Sequence, residues 1–181
     1  MTASSFHLRS VAAERALVPA DVPVDADGLR QALRHLGGGV SIITAGEGEA
    51  RTGATVTSAT ALSVEPPRML VLLNRSASTW PVVERYGHFC VNVLGPSHED
   101  LANRFAGRGG LKGPDRYRDA AWTRLASGAP VLKDAASAID CAVEEVLERH
   151  SHAIVIGRVL AIRVAGGGSL VYGNGRYLPL D

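Results

Sequence analysis

The sequence predicts a mainly β fold: a closed antiparallel (split) β-barrel with a few short flanking helices. Segments rich in β-branched residues alternate with breaks that contain Gly or Pro, which gives about seven strands and two or three short helices. The connections between the strands are short and contain no long helix, so a doubly wound parallel sheet is disfavoured. No strand leads into a GxGxxG motif, which argues against a Rossmann nucleotide site.

The N-terminal part of the chain divides into an arm and a helix. Residues 1–25 carry scattered charges without a sustained period, which predicts a flexible arm before a single domain at 26–181. Asp27 is placed to cap a helix with regularly spaced leucines from Leu29 to Leu36, and three consecutive glycines then end it.

The predicted strands are runs of β-branched and apolar residues bounded by turn residues. Polar turns, a Glu-Pro-Pro break and a three-glycine turn separate them. In chain order they are 40–45, 52–64, 69–74, 88–94, 138–147, 153–164 and 170–172.

Two short helices and one long loop complete the secondary structure. Ser78 or Thr79 caps the first of these helices, and Ser97 opens the second, with Asp100 three residues later as in a capping box. Residues 106–120 are rich in glycine and charge, which predicts a mobile loop.

The composition excludes several classes of partner. The formal net charge of the 181 residues is +1, which gives no reason to expect nucleic acid or an anionic membrane surface as partner. No run approaches the ~20 apolar residues of a membrane span, and the N-terminal residues lack a secretory signal pattern. We therefore expect a cytoplasmic location.

Two polar stretches in the first half of the chain are candidates for ligand binding. The first, GATVTSATALSV, alternates hydroxyl and small apolar residues, which suits an extended backbone with hydrogen-bonding groups on one side. The second precedes a helix start, where backbone amides and hydroxyls can form a phosphate cradle. Its polar residues are Asn74, Ser76, Ser78 and Thr79, with Arg75 as an added charge. A simple helix cap would need only Ser78 or Thr79.

Residues able to perform covalent or metal chemistry are scarce. His150 and His152 would point to the same face of one strand, so a two-histidine metal site is one interpretation. A third ligand would have to come from His88, Cys141 or a carboxylate, and the spacing requires none of them, so we expect no metal. No GxSxG, HExxH or paired-carboxylate motif indicates hydrolysis.

Five runs of the sequence occur together in a distinctive order. They are GGVSIITA, GATVTSATALSVEPPRMLVLLN, STWPVVERYGHFCVNVL, Ala102-Asn103-Arg104-Phe105 and SHAIVIGRV. As an ordered set they resemble the flavin reductase family, the short-chain, FMN-binding split-barrel group that supplies reduced flavin to two-component monooxygenases. The resemblance covers 29–177 and is more specific than any one of its motifs.

The resemblance implies an NAD(P)H:flavin oxidoreductase that transfers hydride from NADH or NADPH to FMN or FAD. It also implies a homodimer with flavin at the subunit interface, and reduced flavin that diffuses to a partner monooxygenase. Hydride transfer is the cofactors' own chemistry, in agreement with the lack of a conspicuous nucleophile. Two alternatives on the same fold are a pyridoxamine phosphate oxidase-like FMN oxidase and a non-catalytic flavin or haem carrier.

The resemblance assigns two groups of residues to the flavin. The segment that borders the isoalloxazine ring and the ribityl chain corresponds to Thr57, Ser58, Ala59 and Thr60. The alternative for this segment is an ordinary Thr-rich edge strand. The phosphate end of the flavin corresponds to Asn74, Ser76, Ser78 and Thr79.

Two further segments are expected near the flavin. Cys90, Asn92 and Val93 match a strand that passes beneath it, although Asn92 in an apolar strand is nearly as consistent with a structural hydrogen bond. Arg104 and Phe105 end a helix near the pocket, and an exposed helix-end arginine is an equal alternative for Arg104.

His152 matches a histidine that lies near the nicotinamide and the flavin, so it is the expected catalytic residue. The family commonly has an acidic residue immediately before it, where this chain has Ser151. Tyr172 and Tyr177 lie in the closing strand and either pack on the nicotinamide or cap the barrel, with packing on the nicotinamide favoured.

Overall fold

The computed structural model describes residues 25–181, so the predicted arm lies outside the described residues apart from Asp25. The chain divides into two compact units, of which one ends at Leu33 and the other is Arg34–Asp181. None of the helices in the described part of the chain has the length and apolar character that a membrane crossing requires.

Helix α1 (Ala26–Leu33) lies in the first unit and begins one residue before Asp27, its predicted cap. The carboxylate of Asp25 accepts hydrogen bonds from the backbone amides of Asp27 at 3.1 Å and Gly28 at 3.0 Å. Asp25 therefore caps the helix and the prediction of Asp27 as the cap was wrong, because the amides that need an acceptor follow Asp25.

The second unit contains twelve strands and two helices. The helices are α2 (Trp80–Tyr86) and α3 (Glu99–Phe105), and 3₁₀ turns occupy Gly48–Ala50, Pro96–His98 and Gly113–Tyr117. The strands are β1 (Gly38–Gly39), β2 (Ser41–Ala45), β3 (Thr52–Val56), β4 (Ala59–Ser63), β5 (Arg68–Asn74), β6 (His88–Val93), β7 (Trp122–Arg124), β8 (Pro130–Leu132), β9 (Ser137–Arg149), β10 (His152–Val164), β11 (Ser169–Gly173) and β12 (Arg176–Leu180).

Seven of the strands form one antiparallel sheet in the order β3-β2-β6-β9-β10-β5-β4. The long hairpin of β9 and β10 is its centre, and a three-stranded sheet (β1-β11-β12) and a two-stranded sheet (β7-β8) flank it. The mainly β class with few helices is confirmed. Closure of the barrel is not confirmed. Among the described residues, the edge strand β3 pairs only with β2 and the edge strand β4 only with β5.

The sheet nevertheless curls, because the chain passes directly from one of its edges to the other. Only Thr57 and Ser58 separate β3 from β4. Three residue steps span at most about 10 Å, whereas the edges of a flat seven-stranded sheet would lie about 29 Å apart. The two edges are therefore brought together at Thr57-Ser58, and the predicted continuous strand 52–64 is broken there.

The buried side chains fall on both faces of this curled sheet. Successive residues of a strand point to opposite faces, and β2 is buried on both. Ile43 packs with Val71 and Phe89 inside the curl, whereas Ile42 packs with Phe105 and other residues under α3 and the smaller sheets. The loop predicted at 106–120 contributes to this second cluster, since the Tyr117 ring is only 4% exposed.

Candidate functional site

A cavity of about 430 Å³ opens where the chain crosses between the sheet edges. We call it the main cavity. Its walls come from the end of β3, the crossing residues, the end of β5, the segment before α2, the end of α3 and the first residue of β10. The residues predicted for the site that line it are Thr57, Ser58, Asn74, Ser78, Thr79, Phe105 and His152.

The crossing residues present hydroxyl groups to the main cavity. Ser58 Oγ donates to the Leu72 carbonyl at 3.0 Å, which ties the crossing to the neighbouring strand β5. Thr55 Oγ1 donates to the Ala102 carbonyl at 2.7 Å and joins β3 to α3. At Gly53 a Cβ atom would lie 2.8 Å from the Phe105 ring, so the absence of a side chain lets that ring form part of the wall.

The segment between β5 and α2 contributes the most deeply placed hydroxyl. Thr79 is only 1% exposed, and its Oγ1 has no hydrogen-bond partner among the described residues. Thr79 precedes the first residue of α2 but makes no side-chain cap. A buried hydroxyl without a partner carries a desolvation penalty, so a polar group bound in the main cavity would stabilise it.

Asn74 lies at the mouth of the same region. Its Oδ1 accepts hydrogen bonds from the Ser76 amide at 2.9 Å and the Ser76 hydroxyl at 2.8 Å. These bonds use the oxygen of the Asn74 side chain and leave its Nδ2 donor for a ligand. They also direct Ser76 into the turn, and Ser76 does not line the main cavity.

His152 reaches the main cavity from the start of β10. It pairs with Asn74 across the β5–β10 ladder, which brings together two residues that are far apart in sequence. Ser151 Oγ lies 2.9 Å from His152 Nδ1, so a hydroxyl occupies the orienting position where the resemblance leads us to expect a carboxylate. His150 lies in the hairpin turn with φ of +52°, and hence the two histidines are not a same-strand pair. No cluster of three potential metal ligands occurs in the described residues.

One cationic residue of the main cavity was not predicted. Arg116 lines it from the 3₁₀ turn Gly113–Tyr117, where its guanidinium donates to the Gly53 carbonyl at 2.7 Å and to the Leu111 carbonyl at 2.9 Å. The described residues that line the cavity include no carboxylate. The cavity therefore favours a ligand that carries negative charge. Only the position of Arg116 in the loop 106–120 pointed to it.

The strand predicted to pass beneath the flavin does not line the main cavity. Asn92 is fully buried and its Nδ2 donates to the Ile42 carbonyl and to Thr44 Oγ1, both at 3.1 Å, while its Oδ1 accepts from the Leu132 amide at 2.8 Å. Cys90 is fully buried, and neither it nor Val93 lines the main cavity. Asn92 therefore makes structural hydrogen bonds, as the alternative interpretation expected. Its strand, β6, is the third of the seven strands and lies between β2 and β9.

Other predicted residues do not line the main cavity either. Arg104 pairs with Asp119 and donates to the Arg118 carbonyl, and Arg75 pairs with Glu148 at 2.6 Å. Ala59 and Thr60 begin β4 and do not line the cavity.

Comparison with known proteins gives consistent matches over most of the chain. The family described as "Flavin reductase like domain" matches residues 33–181. The chain is 38% identical over 149 residues to "FMN reductase (NADH) RutF" of Variovorax paradoxus (strain S110), covering 82% of each protein.

Two solved structures have the same fold. BorF, the flavin reductase component of a bacterial two-component tryptophan halogenase, matches with a TM-score of 0.79 and 28% identity, over 87% of this chain and 99% of BorF. The NADH:FAD oxidoreductase SgcE6 of Streptomyces globisporus C-1027 matches with a TM-score of 0.78 and 26% identity, over 91% of this chain and 99% of SgcE6.

Proposed function

The chain belongs to the flavin reductase-like domain family, and from this premise we propose that it is an NADH-dependent flavin reductase. Flavin bound in the main cavity would accept a hydride from the nicotinamide ring, which is the cofactors' own chemistry. The task of the protein is to hold two flat rings against each other and to stabilise the charge that develops on them. The observation that carries the proposal is the main cavity with the buried, unpartnered hydroxyl of Thr79.

The cavity fits a flavin nucleotide in size and in chemistry. Its volume of about 430 Å³ lies within the range of about 300–1,000 Å³ typical of small-molecule sites. It combines apolar walls from Leu72 and Phe105 with hydroxyl and amide groups, as a flat ring with a polar tail requires. The positive charge of Arg116 and the absence of a lining carboxylate favour a phosphate ester.

We assign the polar groups by their position along the cavity. Ser78 and Thr79, with the Nδ2 amide of Asn74, hold the phosphate end of the flavin. Thr57 and Ser58 hold the ring and the ribityl chain at the crossing between the sheet edges. Because these groups are neutral, they can hydrogen-bond the flavin in either oxidation state without a large change in electrostatic energy.

His152 is the proposed contact for the nicotinamide. It pairs with Asn74, lines the cavity and is exposed, so a second ring can reach it from solvent. The Ser151 hydroxyl restrains the imidazole through Nδ1, which leaves Nε2 to contact the dinucleotide. We assign His152 an orienting role, since hydride transfer requires no protein acid or base.

The relatives support the choice of substrates and the fate of the product. RutF is named an FMN reductase that uses NADH, and SgcE6 an NADH:FAD oxidoreductase. We propose NADH as electron donor and FMN or FAD as acceptor. BorF is a component of a two-component halogenase, so reduced flavin released from this chain would serve a separate flavin-dependent monooxygenase.

We propose a homodimer in which the flavin lies near the subunit interface. Neighbouring strands β4, β5, β9 and β10 carry exposed apolar side chains, namely Leu62, Leu72, Val146, Ile162 and Val164. Such exposure is typical of protein interfaces, and Leu72 also lines the main cavity. Sedimentation equilibrium should give twice the mass of the chain, and a monomer at micromolar concentration would contradict the proposal.

Replacing Thr79 by valine tests the flavin site with a nearly isosteric change. The variant loses the buried hydroxyl, and we expect the Kd for FMN to rise about fivefold, the equivalent of one hydrogen bond. Quenching of FMN fluorescence measures the Kd without turnover. The fold should be as stable as before or slightly more so, because the hydroxyl has no partner within the described residues.

Thr123→Val is the matched control, since Thr123 lies in β7 and does not line the main cavity. Equal FMN affinity in the parent chain and in Thr79→Val would remove Thr79 from the site. NADH oxidation measured with added FMN tests the reaction itself. A chain that binds FMN but does not oxidise NADH would be a flavin carrier and would overturn the proposed function.

A further inference from the structure

A second, smaller cavity adjoins the main cavity. It has a volume of about 230 Å³ and is walled by Tyr172, Tyr177, Arg108 and Val40. We call it the tyrosine cavity. It shares part of its lining, Thr55 to Thr57 and Ala106, with the main cavity. Its volume is below the lower end of about 300 Å³ for sites that enclose a whole small molecule. It therefore fits one part of a ligand whose remainder lies in the main cavity.

The tyrosine pair is positioned by a tight hairpin. Tyr172 in β11 and Tyr177 in β12 are direct cross-strand partners, and their rings lie 5.0 Å apart at 63°. Asn174 and Gly175 at the turn have φ of +51° and +80°, as a two-residue hairpin turn requires. Both rings are only half-buried and so keep accessible surface. Aromatic side chains with free surface are the usual platforms on which nucleic-acid bases stack.

Arg108 supplies a positive charge at the rim of the tyrosine cavity. Burial raises the pKa of the Tyr177 phenol, and the nearby positive charge of Arg108 opposes part of that rise. The ion pairs found in the described residues do not include Arg108, and its side chain is exposed. An arginine without an ion-pair partner among the described residues, beside an aromatic pair, has the chemistry that binds a nucleoside phosphate.

The reacting rings occupy the main cavity in the proposed function, on which this inference rests. What remains of a dinucleotide is its adenylate half, a flat uncharged base with a ribose and a phosphate. We propose that the tyrosine cavity binds this adenylate half, with the adenine ring against Tyr172 and Tyr177 and a phosphate oxygen on Arg108. NADH and FAD both carry an adenylate, whereas FMN and reduced nicotinamide mononucleotide do not.

Arg108→Gln and Tyr172→Leu test the assignment on the full chain. In both variants we expect the Kd for AMP, measured by calorimetry on the flavin-free protein, to rise about tenfold. A rise of the same size is expected in the KM for NADH or in the Kd for FAD. The KM for reduced nicotinamide mononucleotide and the Kd for FMN should stay unchanged. A higher KM for NADH would identify the electron donor as the occupant of the tyrosine cavity. A higher Kd for FAD would identify the flavin acceptor as its occupant.

Arg176→Gln is the matched control, because Arg176 is exposed in the same hairpin and lines neither cavity. Equal losses for ligands with and without the adenylate would mean that the variants disturb the fold, and would overturn the inference. Unchanged AMP, NADH and FAD values would also overturn it. AMP binding needs no turnover, so it remains informative if the chain does not reduce flavin, which separates failure of this inference from failure of the proposed function.

Discussion

Replacing Asn92 by alanine should lower the free energy of unfolding by about 3 kcal/mol and leave the FMN affinity of the folded protein unchanged. The Asn92 side chain makes three hydrogen bonds between β2, β6 and β8 in a fully buried position. Its removal leaves the buried amide of Leu132 without an acceptor and creates a small void. For a chain of this length the loss corresponds to a fall in Tm of about 6–12 °C, measurable by calorimetry.

Asn74→Ala provides the opposite case. Asn74 is exposed and lines the main cavity, and its side chain bonds only within its own turn. We therefore expect weaker FMN binding with little change in Tm. The two asparagines have the same side chain and were both candidate flavin contacts in the sequence. An Asn92→Ala protein with normal Tm and weak FMN binding would reverse their assignment.

Replacing His152 by alanine should lower kcat/KM for NADH about 10- to 100-fold, the equivalent of about 1.4–2.7 kcal/mol, because the contact that orients the nicotinamide is lost. The FMN Kd should be almost unchanged, because the proposed flavin contacts come from other residues, namely Thr57, Ser58, Asn74, Ser78 and Thr79. Steady-state NADH oxidation gives the first quantity, and fluorescence titration gives the second. The split between them is the diagnostic result, since general unfolding would weaken both.

His150→Asn is the control for this prediction. His150 lies two residues away and is exposed, and asparagine tolerates its positive φ. NADH kinetics like those of the parent chain are expected. Ser151→Ala should have an intermediate effect, because it removes the hydroxyl that restrains Nδ1 but keeps the imidazole. A normal kcat/KM in His152→Ala would exclude His152 from the reaction.

Local sequence pattern was sufficient for the regular strands. The β-branched runs at 69–74, 138–147 and 153–164 fold as β5, β9 and β10 with small shifts of their ends. The pattern was insufficient where tertiary pairing determines where a strand ends, as at 52–64. There the same Thr-rich alternation continues through Thr57 and Ser58, yet the chain leaves one sheet edge and joins the other. The local alternation favours an extended backbone but does not specify which strand it pairs with, and strand propensity itself differs between edge and central strands.

The candidate site divides in the same way. Hydroxyl groups near the crossing and before α2 could be predicted because their types and spacing are visible in the chain. Arg116 could not, since it enters from a 3₁₀ turn that is packed onto the Gly53 carbonyl, a contact between segments distant in sequence. The resemblance assigned Arg104 to the site, with an exposed helix-end arginine as the equal alternative, and in the structure Arg104 pairs with Asp119.

The sequence by itself determined the mainly β class, the family and the polar residue types of the main cavity. These depend on residue identity and local spacing, which are written in the chain. Tertiary structure alone decided which polar residues face the cavity. Asn92 and Asn74 both lie on interior strands of the same sheet. Asn92 is buried where β2 and β8 supply its hydrogen-bond partners, whereas Asn74 is the last residue of β5 and lines the main cavity. The physical reason is that a polar side chain binds a ligand only if the fold has not already satisfied it.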